Sequence, residues 1–182
     1  MASTNQTIRN FFQVAAQREF SRDFLFRVLS INFAGGATFN ESELVYVRTA
    51  TLPGRSINDV DAKYMGVSFH IPGGVTYPNS GSYSLEFYCD SQSAIREKFI
   101  AESRRTFDDA TSTGAYNIPT ASSVIRLMQL DKNLDPVTIY RLVGCSIRDV
   151  SDISYEIADG TGNYKTFTVT TAYHFFEEQL AS

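Results

Sequence analysis

The sequence predicts a mainly β protein: an antiparallel β-sandwich or partial barrel with one flanking α-helix and a short N-terminal helix. The first observation is that about eight runs alternate apolar and polar residues with the period of two of a half-buried strand. The second is that short connections rich in Gly, Pro, Asn and Asp join most of these runs. The third is the aromatic content: 14 Phe and 10 Tyr suit strands and large buried interfaces equally.

Length, charge and cysteine content limit the possible classes of protein. A chain of 182 residues can bury a core in one domain without disulfides or metals. The net charge of −4 argues against a protein that grips nucleic acid, but not against one that lets it pass. Cys89 and Cys145 each lie in an apolar run without metal-ligand spacing, so we predict two buried thiols. No export signal or membrane-spanning apolar run is evident, so we expect no membrane insertion.

The first element is a short helix in an N-terminal arm of residues 1–20. Ile8, Phe11, Phe12 and Ala15 recur at the three- and four-residue spacing of one helical face. A helix of this length is marginal by itself, so it needs a surface to dock on, either its own domain or a neighbouring subunit. The remaining boundaries are a β domain over residues 21–177 and a C-terminal tail over residues 178–182.

Within the β domain, alternation and turn residues set the order of the elements. One longer helix is predicted over residues 91–105, because Asp90 or Ser91 can cap its first turn and Ile95 and Phe99 lie on one face. The predicted strands cover residues 23–32, 43–51, 82–89, 123–130, 137–148, 152–158 and 165–176.

Residues 55–81 form the least regular part of the domain. Pro and Gly interrupt a run in which Val67, Phe69 and Ile71 alternate with polar residues. We predict a protruding loop with a partial hairpin, which docks on a partner because it carries apolar side chains. Its charged residues are Arg55, Asp59, Asp61 and Lys63.

The last two predicted strands form a hairpin around a turn at residues 159–163. One face of this hairpin is apolar, with Phe167 and Val169 at its centre. The other face is small and polar, which suits a wall better than an active site. Its residues are Asp152, Ser154, Glu156, Thr166, Thr168 and Thr170.

No motif in the chain carries recognisable chemistry. Residues 160–165 resemble part of a phosphate loop, but the run continues as a strand where a phosphate loop would begin a helix. His70 and His174 are the only histidines, and neither has the spacing of a metal site or of a nucleophile and its base. We therefore predict no catalytic, cofactor-binding or metal-binding residues, and no enzyme.

The order of elements resembles that of the tail tube proteins of contractile-tailed bacteriophages. The residues that carry the resemblance are the strand FLFRV at 24–28, the stretch TATLPG at 49–54, the long loop after it, the helix around Phe99, and the closing strand FTVTTAYH at 167–174. Together they span about residues 20–177. Related tubes occur in bacteriocins and secretion machines.

The resemblance implies an assembly with a central channel. On this resemblance, copies are expected to form a hexameric ring in which the inner sheets join into a continuous β-barrel, and rings are expected to stack head-to-tail into a tube inside a contractile sheath. The loop at 55–81 is expected to mediate stacking, and the small polar face to line the lumen. The implied partners are further copies, the sheath protein, a baseplate initiator, and in the lumen a tape-measure protein and then DNA without sequence-specific binding. The implied location is the virion tail, assembled in the host cytoplasm.

Two alternatives stay open. Within the same kind of particle, the chain is a baseplate tube-initiator subunit or the tube of a related contractile injection system. In a different class, it is a small-ligand-binding β-barrel or a hydrolase on such a barrel, which requires an enclosed pocket with convergent polar groups.

Overall fold

Two antiparallel sheets form the body of the protein in the computed structural model, which describes residues 4–16, 21–158, 160 and 162–180. One sheet has five strands and the other has four, and their facing side chains form one core. The predicted fold class, mainly β with antiparallel pairing and a flanking helix, is confirmed. The sheets of a single chain do not close into a barrel.

The described residues form the following elements. The helices are α1 (Thr4–Ala16), α2 (Glu41–Leu44) and α3 (Ala94–Thr106). The strands are β1 (Phe26–Asn32), β2 (Thr38–Phe39), β3 (Val47–Ala50), β4 (Ser56–Tyr64), β5 (Val67–Thr76), β6 (Tyr83–Tyr88), β7 (Phe107–Asp108), β8 (Thr113–Gly114), β9 (Val124–Leu130), β10 (Pro136–Val143), β11 (Ser146–Val150), β12 (Thr166–Ala172) and β13 (Phe175–Leu180).

One long hairpin contributes to both sheets because each of its arms bends. The five-stranded sheet has the order β13-β10-β9-β1-β2, and the four-stranded sheet has the order β11-β12-β6-β3. The prediction that residues 137–148 form one strand is therefore wrong, and so is the same prediction for residues 165–176. Gly144 breaks the first with a left-handed φ of 72°, and the second breaks at Tyr173–His174, where the His174 N–H donates to the Val143 carbonyl at 2.9 Å.

The core is centred on an aromatic cluster under α3. Phe99 is fully buried and its ring stacks on Phe39, with centroids 4.3 Å apart. Phe87 and Phe167 of the four-stranded sheet stack on each other at 5.5 Å and complete the cluster. Because these rings fill the space between the sheets, the sandwich has a packed interior. The helix face predicted to be buried is confirmed.

Capping interactions explain the boundaries of the short helices. The Asp90 carboxylate accepts the Ala94 N–H at 2.9 Å, as predicted for this residue. The predicted start at residue 91 is wrong, because Ser93 has a left-handed φ of 54° and the helix begins only at Ala94. The predicted strand 43–51 is wrong in its first part, where α2 forms. There the Glu43 carboxylate accepts the Asn40 N–H at 2.9 Å, which is one half of a capping box and favours a helical turn over a strand.

The C-terminal boundary of the β domain also differs from the prediction. β13 runs through Leu180, so residues 178–180 form strand and not the predicted tail.

The last predicted hairpin is wrong in its first arm. Residues 152–158 form no strand, because β11 already pairs with β12 and occupies that edge. Ser151 makes the last contacts with the sheet: its N–H donates to the Thr168 carbonyl and its Oγ accepts the Thr168 N–H, both at 2.9 Å. The chain then leaves the sheet. Asp159 and Thr161 of the predicted turn lie outside the described residues.

The irregular region predicted at 55–81 contains a complete two-stranded hairpin. β4 and β5 pair along nearly their whole length and join only to each other in a sheet of their own. Met65 and Gly66 form the turn with positive φ values of 50° and 82°, the combination that a two-residue hairpin turn with right-handed strand twist requires. The prediction of a partial hairpin underestimated its order.

Candidate assembly surfaces

The outer face of the four-stranded sheet carries the small polar residues predicted from β12. Thr166, Thr168 and Thr170 are half-buried there, whereas Phe167 and Val169 point into the core. Asp152, Ser154 and Glu156, predicted on the same face, do not lie on this sheet. They are exposed residues of the connection that follows β11.

Neighbouring strands complete this face. Thr168 lies opposite Glu86 of β6, and Thr170 lies opposite Asp149 of β11. Arg48 donates to the Glu86 carboxylate at 2.7 Å, so these two charges compensate each other. Asp149 is the acidic residue that the sequence interpretation missed. A bulge between Ile147 and Asp149 shifts the register, and alternation alone gives no sign of such a shift.

The β4–β5 hairpin has one apolar and one polar face. In β4, Asp59, Asp61 and Lys63 share the polar face, and the Asp61 carboxylate lies 2.7 Å from Nδ1 of His70 in β5. Arg55 directly precedes the hairpin and is exposed. The apolar face consists of Val60, Ala62, Tyr64, Val67, Phe69 and Ile71.

The apolar face of the hairpin is uncovered. Five of its six side chains are more than half exposed, from 51% for Ile71 to 68% for Tyr64. A two-stranded hairpin is marginally stable alone and normally buries its apolar face against something else. The four charged residues predicted for this region are all exposed, as a contact surface requires. The sequence interpretation missed Val60 and Tyr64, whose alternation in β4 is the signal that finds them.

The N-terminal helix presents a second uncovered apolar surface. The short helix predicted in the N-terminal arm is confirmed as α1, and residues 17–20 of that arm lie outside the described residues. Ile8, Phe11 and Phe12 are all more than half exposed.

The described residues offer no assembled reaction site. No group of three or more His, Cys, Asp and Glu side chains among them is placed to hold a metal ion. Residues 162–165 lead into strand β12 and not into a helix, so the phosphate-loop interpretation does not hold. Aromatic rings fill the interior between the sheets, which disfavours a small-ligand-binding barrel. None of the described helices has the length and apolar character needed to cross a membrane.

The two cysteines differ from the prediction in one respect. Cys145 is buried, and burial raises the pKa of its thiol to about 12. Cys89 is only half-buried, with its Sγ 3.6 Å from the Ser93 hydroxyl and 3.7 Å from the Tyr155 hydroxyl. The prediction of two buried thiols is therefore confirmed for Cys145 alone.

No family model matches the sequence, and no curated protein matches it. Among solved structures, however, the fold is shared with chains from contractile injection systems, so the resemblance to tube proteins is confirmed at the level of the fold.

Three of these structures are the following. A chain of the 6-fold symmetrised baseplate of the anti-feeding prophage matches with a TM-score of 0.61 at 15% identity, over 89% of this chain and 97% of that one. A chain of the cap that terminates the tube of the same particle matches with a TM-score of 0.58 at 9% identity, over 90% and 93%. A chain of the extended sheath-tube complex of the extracellular contractile injection system PVC matches with a TM-score of 0.57 at 11% identity, over 100% of both chains.

Proposed function

We propose that this chain is a structural subunit that assembles into the tube of a contractile injection apparatus. The observation that carries the proposal is the projecting hairpin with an uncovered apolar face, in a fold shared with chains of such particles. A monomeric protein rarely leaves a contiguous apolar surface of this kind exposed, because water contact with it is unfavourable. Burial between identical copies removes that cost.

The ring is proposed to be a hexamer with a continuous inner β-barrel. β3 and β11 are the edge strands of the four-stranded sheet, and pairing of one copy's β3 with the next copy's β11 removes both exposed edges. The face with Thr166, Thr168 and Thr170 then lines the lumen. The basic residues in the strands of this sheet are Arg48, which is paired with Glu86, and Arg148, which donates to the Gly81 carbonyl. Glu86 and Asp149 offset their charge, so the proposed lumen carries no net positive charge to hold phosphate.

Stacking of rings is assigned to the hairpin. The apolar face supplies the buried area, and Arg55, Asp59, Asp61 and Lys63 set the register through charge. Repeated head-to-tail contacts that do not close produce a filament. In its finer form the proposal is a phage tail tube: the conduit for DNA ejection, inside a sheath, around a tape-measure protein and on a baseplate initiator. Its location is then the virion tail, assembled in the host cytoplasm.

A baseplate or cap subunit is the second candidate, because chains of a baseplate and of a tube cap share the fold. The two candidates differ in self-assembly. A tube subunit polymerises alone at high concentration, whereas an initiator or cap stops at a single ring.

Negative-stain electron microscopy of the purified chain tests the proposal. We expect rings at low concentration and tubes at high concentration; a monodisperse monomer at every concentration contradicts it. The variant Asp61→Lys tests the charged residues, because reversing this charge should lower tube yield and leave the melting temperature unchanged. If the Asp61→Lys variant and the unaltered chain give the same tube yield and the same melting temperature, Asp61 does not take part in the stacking contact.

A further inference from the structure

The structure contains an open groove, lined by both apolar and polar side chains, that no other segment of the described residues covers. It lies between β1 and the α2–β3 segment and has a volume of about 540 Å³. Phe26, Val28 and Leu44 contribute to its lining. The apolar side chains of Phe24 and Val45 border it and are 70% and 79% exposed. The groove is large enough to receive several apolar side chains of another segment.

The charges at the groove are nearly all compensated. Arg27 lies 3.3 Å from the Glu41 carboxylate, and Arg48 lies 2.7 Å from that of Glu86. Among the charged residues that line the groove, Asp23 makes no ion pair within the described part of the chain. The groove therefore offers apolar side chains together with one carboxylate, at its border next to Phe24, that makes no ion pair among the described residues.

α1 has the complementary features. Its stripe of Ile8, Phe11 and Phe12 is 53% to 65% exposed, and thirteen residues are too few for a stable isolated helix. Its only charged residue is Arg9, which borders the stripe and makes no ion pair within the described residues. The apolar stripe of α1 can pack on the apolar side chains of the groove, and its one cation can pair with the Asp23 carboxylate at the border.

We infer that α1 of one copy inserts Ile8, Phe11 and Phe12 into the groove of a second copy, with Arg9 facing Asp23. A second copy is the occupant because α1 leaves the groove of its own chain open, although only residues 17–20 separate it from Ser21. The inference rests on the proposed assembly, which places identical copies side by side. It gives the N-terminal helix a role as a strap between subunits.

Site-directed cross-linking tests the contact. Two differently sized tagged chains, both carrying Cys89→Ser, are mixed under assembly conditions and treated with a short bismaleimide. One carries Phe12→Cys and the other Val45→Cys. We expect a heterodimer from this pair and none when Tyr116→Cys replaces Val45→Cys, because Tyr116 is equally accessible but follows the far end of α3.

The other outcomes are decisive. Tubes without this heterodimer overturn the inference and leave the proposed function standing. An intrachain cross-link in a dilute Phe12→Cys/Val45→Cys chain shows that the helix covers its own groove, which also overturns it. A heterodimer from Phe69→Cys with Val45→Cys, in place of the Phe12 pair, assigns the groove to the β4–β5 hairpin. Absence of any assembly contradicts both proposals.

A charge exchange tests the proposed pair of Arg9 and Asp23. Each single variant, Arg9→Asp or Asp23→Arg, places like charges together and should lower the cross-linking rate about two- to fivefold. The double variant restores the pair and should restore the rate. Both residues are exposed, so unchanged melting temperatures serve as the control for folding. If the double variant does not restore the cross-linking rate, Arg9 and Asp23 do not form an ion pair in this contact.

Discussion

At the scale of single residues, Gly144 determines how the long hairpin passes from one sheet to the other. Its φ of 72° is unfavourable for residues with a Cβ, and a Cβ there would overlap the imidazole ring of His174. Gly144→Ala should therefore lower the free energy of unfolding by about 2 kcal/mol or more, as measured by urea denaturation. Gly54→Ala is the matched control, because a Cβ there meets no atom within 4 Å and the φ is ordinary. Equal losses at both positions contradict this assignment.

The two thiols should react differently. At pH 8 Cys145 remains protonated, because burial raises its pKa from 9.0 to about 12, whereas half-buried Cys89 is accessible. A thiol reagent should titrate one fast thiol in the native protein and two in denaturant. Two fast thiols in the native state would disprove the burial of Cys145.

The same raised pKa predicts a pH dependence of stability. The folded state keeps the Cys145 proton more tightly than the unfolded state, so this contribution is complete below pH 9.0 and is lost as the pH rises toward about 12. Burial raises the pKa of Tyr83 as well, which adds to the loss. The free energy of unfolding should thus fall above pH 9, and less steeply in Cys145→Ala.

At the scale of elements, variants in the β4–β5 hairpin should impair assembly without impairing folding. Phe69 is 52% exposed on the apolar face, so Phe69→Asp should change the melting temperature little. The same variant places a charge in the proposed stacking contact and should abolish tubes in electron micrographs. Tyr116→Asp makes the same kind of change at another exposed site and should leave tube formation intact. Tubes of normal length from Phe69→Asp would exclude this face from stacking.

Elements were predictable where local signals agree with long-range pairing. Periodicity and capping predict six elements: α1, α3 with its Asp90 cap, β1, β6, β9 and β12. The prediction failed at residues 43–46 because a local capping box competes with the strand pattern. It failed at 152–158 because a partner from elsewhere, β11, already occupies the edge of β12. The alternation of residues 152–158 alone cannot reveal that β11 competes for the same edge.

At the scale of the whole molecule, the proposed lumen face makes a prediction about access. Asp149→Cys, Thr168→Cys and Thr170→Cys in a Cys89→Ser background should react with a small maleimide in assembled tubes. A bulky maleimide should reach the same positions in unassembled protein and be excluded from the interior of tubes. Free entry of the bulky reagent from the side of assembled tubes would place this face on the outside.

The sequence by itself determined the class of fold, the packed apolar face of the closing strand and its small polar face, because period-two alternation depends only on neighbouring residues. The tertiary structure alone decided which segments share that polar face, since register and edge occupancy depend on residues far apart in the chain. It put Asp149 beside Thr170 and left Asp152, Ser154 and Glu156 off the sheet. It also revealed the uncovered hairpin face and the empty groove, which exist only once the sandwich has formed.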